Sequence, residues 1–184
     1  LGFDINQFRA SYANGGSRPS LFQVQISNPA NPIADLDIPF KVYAASIPEH
    51  NILPINVYYF GRPIKVAGNR TFGDWQVEIY NDEDFIIRDA LEQWSNTING
   101  VETNINKFGT SSPSAYKSDA MVTQYSQAGD ALRSYTFVGL FPINVGAMTL
   151  NWSAGQEVHT YPVTFSVDYF FVNNSITGAV AGGL

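Results

Sequence analysis

Cysteine is absent from the 184 residues, which excludes a disulfide framework and thiolate chemistry and leaves the compartment open. Charge is scarce: 14% of residues are Asp, Glu, Lys or Arg, where about a quarter is usual. No basic block occurs anywhere. Ten Lys and Arg against sixteen Asp and Glu leave a net charge of −6, so an attractive grip on nucleic-acid phosphates is excluded. Long apolar runs are missing too; the C-terminal SITGAVAGGL is too short and too glycine-rich to span a bilayer, and no leader pattern is seen. Histidine occurs twice, as His50 and His159, neither with the spacing of a metal motif. No G-x-S-x-G elbow, P-loop or dinucleotide fingerprint is present. The expectation is therefore no enzyme, no metal and no cofactor.

What is present is a 45% apolar chain long enough for one domain with a sizeable core. Aromatics make up 14%. A surface poor in charge and rich in Tyr and Phe points to cover by other copies or partners. A β-rich fold with many aromatic core strands explains the same composition.

The chain is organised around residues 70–100. Trp75, Val77 and Ile79 alternate with Asp74, Gln76 and Glu78, the period of a half-buried strand. The period then becomes helical, with Ile87, Ala90, Leu91, Trp94 and Ile98 on one stripe. Asn81 suits an N-cap, Asp84 the returning carboxylate of a capping box, and Tyr80 with Phe85 a hydrophobic staple. Asp82, Glu83 and Asp84 then sit in the first turn, where the helix dipole favours negative charge and explains them without catalysis. Asp84 and Arg88 have the spacing of an i,i+4 ion pair. Gly100 suits a left-handed terminus. These signals predict one amphipathic α-helix over 82–99, about 27 Å long.

Around it, residues 21–27, 39–47, 119–126 and 133–141 read as strands, the last closed by Pro142. Residues 161–171 alternate as one long strand, and 145–152 fit a short strand or a helical turn. Residues 1–18 read as an arm, 101–118 as a polar surface loop and 173–184 as a glycine-rich tail. Residues 48–68, with Val57-Tyr58-Tyr59-Phe60 before Gly61-Arg62, form an extended hairpin or loop. Its aromatic run is apolar on both sides, as in a two-sided core strand or a flap docked on a neighbour. About seven strands and one helix make a mainly β, antiparallel sandwich or barrel in a single domain over 1–184.

Two segments carry a family resemblance. Gly16, Arg18 and Pro19 match a G-A-R-P-like turn, with Ser17 in place of alanine. Arg70, Thr71, Phe72, Gly73, Trp75, Asp82, Asp84, Phe85, Arg88 and Trp94 lie in FGDWQVEIYNDEDFIIRDALEQW and its lead-in. Over about a third of the chain this resembles the tail tube proteins of contractile-tailed bacteriophages and, more remotely, the tubes of type VI secretion and contractile bacteriocins.

The resemblance implies a structural virion protein, assembled in the host cytoplasm. Its hexameric rings would stack into a hollow tail tube, strands of six subunits joining into one barrel. Sheath would lie outside, baseplate proteins at the end, and tape-measure protein and then DNA in the lumen, without sequence-specific binding and without a membrane. Expected subunit contacts are Arg18, Tyr58, Tyr59, Phe60 and Arg70, with the arm and tail; Trp75, Phe85, Leu91 and Trp94 are the expected core scaffold. A neutral to acidic lumen would let DNA pass. Two other readings stand beside this one. The first is a tube or carrier of a contractile secretion system. The second is a β-sandwich carbohydrate-binding module using exposed Tyr and Trp.

Overall fold

In a computed structural model of the chain, residues 4–12, 16–107, 112–156 and 158–173 are described. Nine strands and three α-helices occur among them: α1 Ile5–Ser11, β1 Phe22–Ile26, α2 Ile38–Lys41, β2 Val42–Ala45, β3 His50–Tyr59, β4 Arg62–Phe72, β5 Trp75–Tyr80, α3 Ile86–Ile98, β6 Ser118–Tyr125, β7 Ala131–Val145, β8 Thr160–Ser166 and β9 Tyr169–Asn173. Seven strands share one antiparallel sheet, in the order β1-β6-β7-β8-β5-β2, with β9 also on β7. The other two, β3 and β4, pair only with each other.

The long strand β7 joins two halves of this sheet. Its first part pairs with β6 and, through Ser134–Val138, with β9; its last part, Phe141–Val145, pairs with β8. Between them Gly139 adopts φ +71°, a left-handed torsion that glycine takes without strain. A β-carbon there would also collide with the Asp168 carboxylate. The predicted single strand over 161–171 accordingly breaks at Val167–Asp168 into β8 and β9. Lys117 holds Asp168 at the break, Nζ to Oδ1 2.7 Å. Pro142 does not close β7, as expected, but lies inside it. The register shifts between Pro142 and Asn144, and a proline without an N–H is tolerated at such an irregularity. Residues 146–150 are neither strand nor helix.

Alternation sets the core. Trp75, Val77 and Ile79 of β5 face Tyr161, Val163 and Phe165 of β8, all at most 2% exposed. Trp75 stacks on Phe137 of β7 with ring centroids 4.6 Å apart. Helix α3 lays Ile87, Ala90, Leu91 and Trp94 onto this layer. The indole N–H of Trp94 donates to Tyr116 O at 2.9 Å, so its burial leaves no donor unpaid for. Buried Asn28 ties the loop after β1 to the helix. Its Nδ2 donates to Ala90 O, and its Oδ1 accepts from Ala30 and Asn31 N–H.

The helix start differs from the sequence reading. Asn81, Asp82, Glu83 and Asp84 lie outside α3, which begins at Ile86 and ends at Ile98 rather than spanning 82–99. Asn81 N–H donates to His159 O as β5 ends, and Phe85 N–H to Asp82 O in a turn. Phe85 takes the cap position at φ +52° with no side-chain cap. It is 41% exposed, not part of the core scaffold, because reversing from strand to helix within five residues turns its ring outward. Asp84 does not pair with Arg88. The Arg88 guanidinium instead meets Glu92 at 2.7 Å and lies over the Tyr161 ring at 5.1 Å. Gly100 is not left-handed; a side chain there would crowd Thr103 and Ile105. Two further helices were not expected: α1 in the arm, capped by Asp4 Oδ1 on Asn6 N–H, and α2. The latter takes the first half of the predicted strand 39–47, starting with Pro39 in its first turn, where proline is tolerated.

Candidate functional site: an assembly surface

The hairpin of β3 and β4 has no counterpart in the core. At about 3.3 Å per residue its ten-residue first strand is roughly 33 Å long, and every residue of that strand is exposed. The turn Tyr59-Phe60-Gly61-Arg62 has positive φ at both central positions, 45° and 78°, as in the two-residue type I′ turns that match strand twist. Asn-Gly is the usual choice there; a phenylalanine at positive φ is strained. Phe60 stands 91% exposed at the tip, its ring edge-on to Tyr59 at 4.6 Å.

Register sorts the two faces. Ile55 pairs with Val66 and Val57 with Ile64 on one side, whereas Asn56 pairs with Lys65 on the other. The first side is a continuous apolar face whose four members are each at least half exposed. The other side is mixed, with Tyr58 opposite Pro63 beside Asn56 and Lys65, and the reading of 57–60 as a core strand is excluded because every residue of β3 is exposed. The base is anchored. Gly73 N–H donates to Glu49 O at 3.0 Å, and the rings of His50, Phe72 and Phe170 cluster and continue through Phe137 into the core.

The charges are segregated. Residues 50–72 hold Arg62, Lys65 and Arg70 and no Asp or Glu. The rest of the chain has seven basic and sixteen acidic residues, a net of −9. None of the three hairpin cations is in an ion pair among the described residues.

A second open surface is the sheet formed by β1, β6, β7 and β9. Both outer strands, β1 and β9, have one edge unpaired among the described residues. Its outward face presents Gln23, Gln25, Met121, Ser134 and Thr136, continued on β9 by Tyr169 and Phe171, with Thr123 on the same side but buried among its neighbours. One acid interrupts it, Asp119, whose Oδ1 accepts from Gly139 N–H.

The remaining expected site residues are spread out. Arg18 reaches the turn after β6, where the Gln127 side-chain oxygen, oriented toward it, accepts from Nε at 2.8 Å and Nη2 at 3.0 Å. Arg70 lies on the hairpin opposite Ile52. Tyr58, Tyr59 and Phe60 come together at the tip, whereas Trp75, Leu91 and Trp94 are enclosed in the core. Residues 1–3 and 13–15 of the arm and 174–184 of the tail lie outside the described residues. His159 Nε2 is 2.9 Å from Thr149 O. Among the described residues no three of His, Asp and Glu cluster as metal ligands, and no helix is long and apolar enough to cross a membrane. Tyr58, Tyr59 and Phe60 crown a projection instead of lining a groove. Sequence reasoning missed the sheet edges, since periodicity tells which residues face inward but not which strand is last.

The family profile described as phage tail tube protein matches residues 17–173. The chain is 34% identical over 163 residues to tail tube protein gp19 of Enterobacteria phage T4, covering 88% of this chain and 95% of that one. It is 25% identical over 155 residues to the tail tube protein of Serratia phage KSP90, covering 82% and 86%. Its fold is similar to a chain in the PVC sheath-tube complex of an extracellular contractile injection system. That match has TM-score 0.59 and 12% identity, and covers 94% of this chain and 99% of the other. A chain of the anti-feeding prophage tube terminating cap gives TM-score 0.63 at 17% identity, with 87% and 92% covered.

Proposed function

Because the chain belongs to the phage tail tube protein family and is a structural component of the tail tube, we propose that it works by closing its open sheet edges against identical copies. The observation that carries this reading is the strand direction at those edges. Along β1-β6-β7-β9 every neighbour is antiparallel, so β1 and β9 run in opposite senses. The β9 of one copy therefore meets the β1 of the next as a proper antiparallel pair. A ring built so has no free edge, the hazard that open sheets must otherwise manage.

Four strands from each of six copies make a barrel of about 24 strands, roughly 35–50 Å between backbones at the usual spacing and tilt. That leaves room for a DNA duplex once side chains are subtracted. The outward face, with its Gln, Thr and Ser side chains, one acid at Asp119 and the rings of Tyr169 and Phe171, lines the lumen, so passing DNA and tape-measure protein meet a wall without cations to hold them. The apolar hairpin face is covered by a neighbouring subunit, with Tyr59 on that face and Phe60 at the tip as anchors and Tyr58 making contact from the opposite side. Sheath lies outside and baseplate proteins at the tube end, in a virion assembled in the host cytoplasm.

Negative-stain microscopy of the concentrated protein tests this: rings or straight hollow tubes are expected, and a monodisperse monomer at every concentration would overturn it. A basic channel wall in the assembled particle would refute the lumen assignment alone.

A further inference from the structure

Each free edge of the β1-β6-β7-β9 sheet offers particular backbone groups. Ser27 N–H donates to Asp119 O and Tyr125 N–H to Leu21 O. Odd-numbered residues of β1 therefore bond to β6, and Phe22, Val24 and Ile26 direct their amides and carbonyls to the open side. The alternation carries through β6 and β7 by register, which makes Phe170 and Val172 the open-side residues of β9. Both edges thus bond through residues whose side chains face the core, so a seam keeps its faces aligned only at slips of an even number of residues. Beside the β1 edge a concavity of about 580 Å³ is banked by Leu36 and Phe40, both largely exposed.

The chirality of L-residues orients this sheet. Seen from the core with β1 ascending, the open-side groups of core-facing residues point right, so β1 is the right-hand strand and β9 descends at the left. Barrel strands tilt by roughly 35–45° in the right-handed sense of their twist. A cross-strand row such as Phe171-Thr136-Met121-Gln25 consequently sinks as it runs to the right. With strands about 4.8 Å apart and about 3.3 Å per residue, the fall is about one residue per strand at the lower tilt, or about four across the sheet. Four is also even. The row therefore enters the next copy's descending β9 about four residues beyond Phe171, at Ser175.

We propose that residues 174–178 of one copy extend β9 and pair with β1 of the next. Val24 then lies opposite Ile176, Ile26 opposite Asn174 and Phe22 opposite Gly178, all bonded through the open edge. On the lumen side Gln25 meets Ser175 and Gln23 meets Thr177. The sequence agrees with this placement: Ser175 and Thr177 continue the polar wall, and Ile176 between them continues the core-facing series of Phe170 and Val172. Without the segment, the same slip sets Asn173 opposite Ser27 and leaves all of Phe22–Ile26 unpaired. The pairing rests on the ring reading and adds to it a register and the stretch of strand that fills the seam. A single subunit cannot satisfy it, because β6 and β7 separate its own β1 and β9. The contact is heterologous and closes as a ring.

Disulfide trapping reads the register, since the chain has no cysteine of its own. Opposed residues of a non-hydrogen-bonded antiparallel pair lie about 4.5 Å apart at Cα, within disulfide reach. Oxidised tubes of Gln25→Cys/Ser175→Cys are expected to give a ladder of linked chains on a non-reducing gel, ending at the number of subunits in a ring. Gln25→Cys/Asn173→Cys and Gln25→Cys/Thr177→Cys are expected to link at least tenfold less. A second measurement is yield: cutting the chain after Asn173, or Ile176→Asp, lowers tube formation at least tenfold and leaves subunit melting unchanged. Tubes in which Ser175→Cys stays unlinked, or in which Asn173→Cys or Thr177→Cys links instead, overturn the pairing. If in addition the chain cut after Asn173 assembles as well as the wild type, the tail has no part in the seam and the ring reading survives. If the wild-type chain never assembles, the ring reading itself fails.

Discussion

The layer under α3 and the β3–β4 hairpin are built from the same kinds of residue and put to opposite uses. In the core, Trp75, Phe137, Phe165 and Trp94 are fully enclosed, and their burial stabilises the single subunit. On the hairpin, Ile55, Val57, Ile64 and Val66 stay at least half exposed, so much of their apolar surface contributes nothing to its folding. On the proposed assembly, the stabilisation available from that surface, about 25 cal/mol per Å² removed from water, would be realised only on association. Two regions with similar hydropathy would thus answer to different equilibria, one unimolecular and one dependent on concentration.

Trp94→Ala tests the first equilibrium most severely. It removes a buried indole and its hydrogen bond to Tyr116 O, and a loss of about 3–5 kcal/mol is expected in urea unfolding of the unassembled subunit. Val57→Glu/Ile64→Glu tests the second. Subunit stability is expected to stay within about 0.5 kcal/mol, while sedimentation shows assembly abolished. If this variant unfolds as readily as the tryptophan variant, the division between the regions collapses.

A finer test lies inside the core. The Tyr161 hydroxyl is buried without a protein partner among the described residues, and burial pushes its pKa up to about 12 from 10.0. For an acid raised on folding, stability is full below the unfolded value and is lost as pH climbs from 10 toward 12, because only the unfolded chain ionises. Tyr161→Phe is expected to flatten that alkaline limb in pH-dependent melting and to cost nothing at neutral pH.

The smallest effect belongs to the exposed Lys41–Asp82 pair. The hydrogen bond from Lys41 holds the Asp82 carboxyl below its ordinary value of 3.8. That contribution is present above the ordinary carboxylate value and lost as pH falls through the depressed one. Asp82→Asn should therefore soften the acid limb of the melting profile slightly and leave the neutral region unchanged.

Strands with one wet face were legible because period two survives any tertiary arrangement: Phe22, Val24 and Ile26, or Tyr161, Val163 and Phe165, point inward as their spacing requires. The stripe of α3 was legible for the same reason. What failed was punctuation. Asn81 to Asp84 carry every local sign of a helix start, yet Lys41 and the β5–β8 pairing claim Asp82 and Asn81 first. Pro142 reads as a stop but sits where the β7 register already slips. Asp168 breaks a periodic run through Lys117 and Gly139, both distant in sequence. The hairpin tip was visible as an aromatic cluster, but its single apolar face depended on pairing with β4, which spacing along one strand does not reveal.

Gly139 has one further implication. An up-down parity at the seam is satisfied by any whole number of subunits, so on the ring reading parity does not choose six. What the longest strand settles, by hinging at one residue with a torsion other amino acids resist, is how the wall is set against the body of each subunit. The pitch of the wall against its own subunit is thus encoded in a missing methyl group.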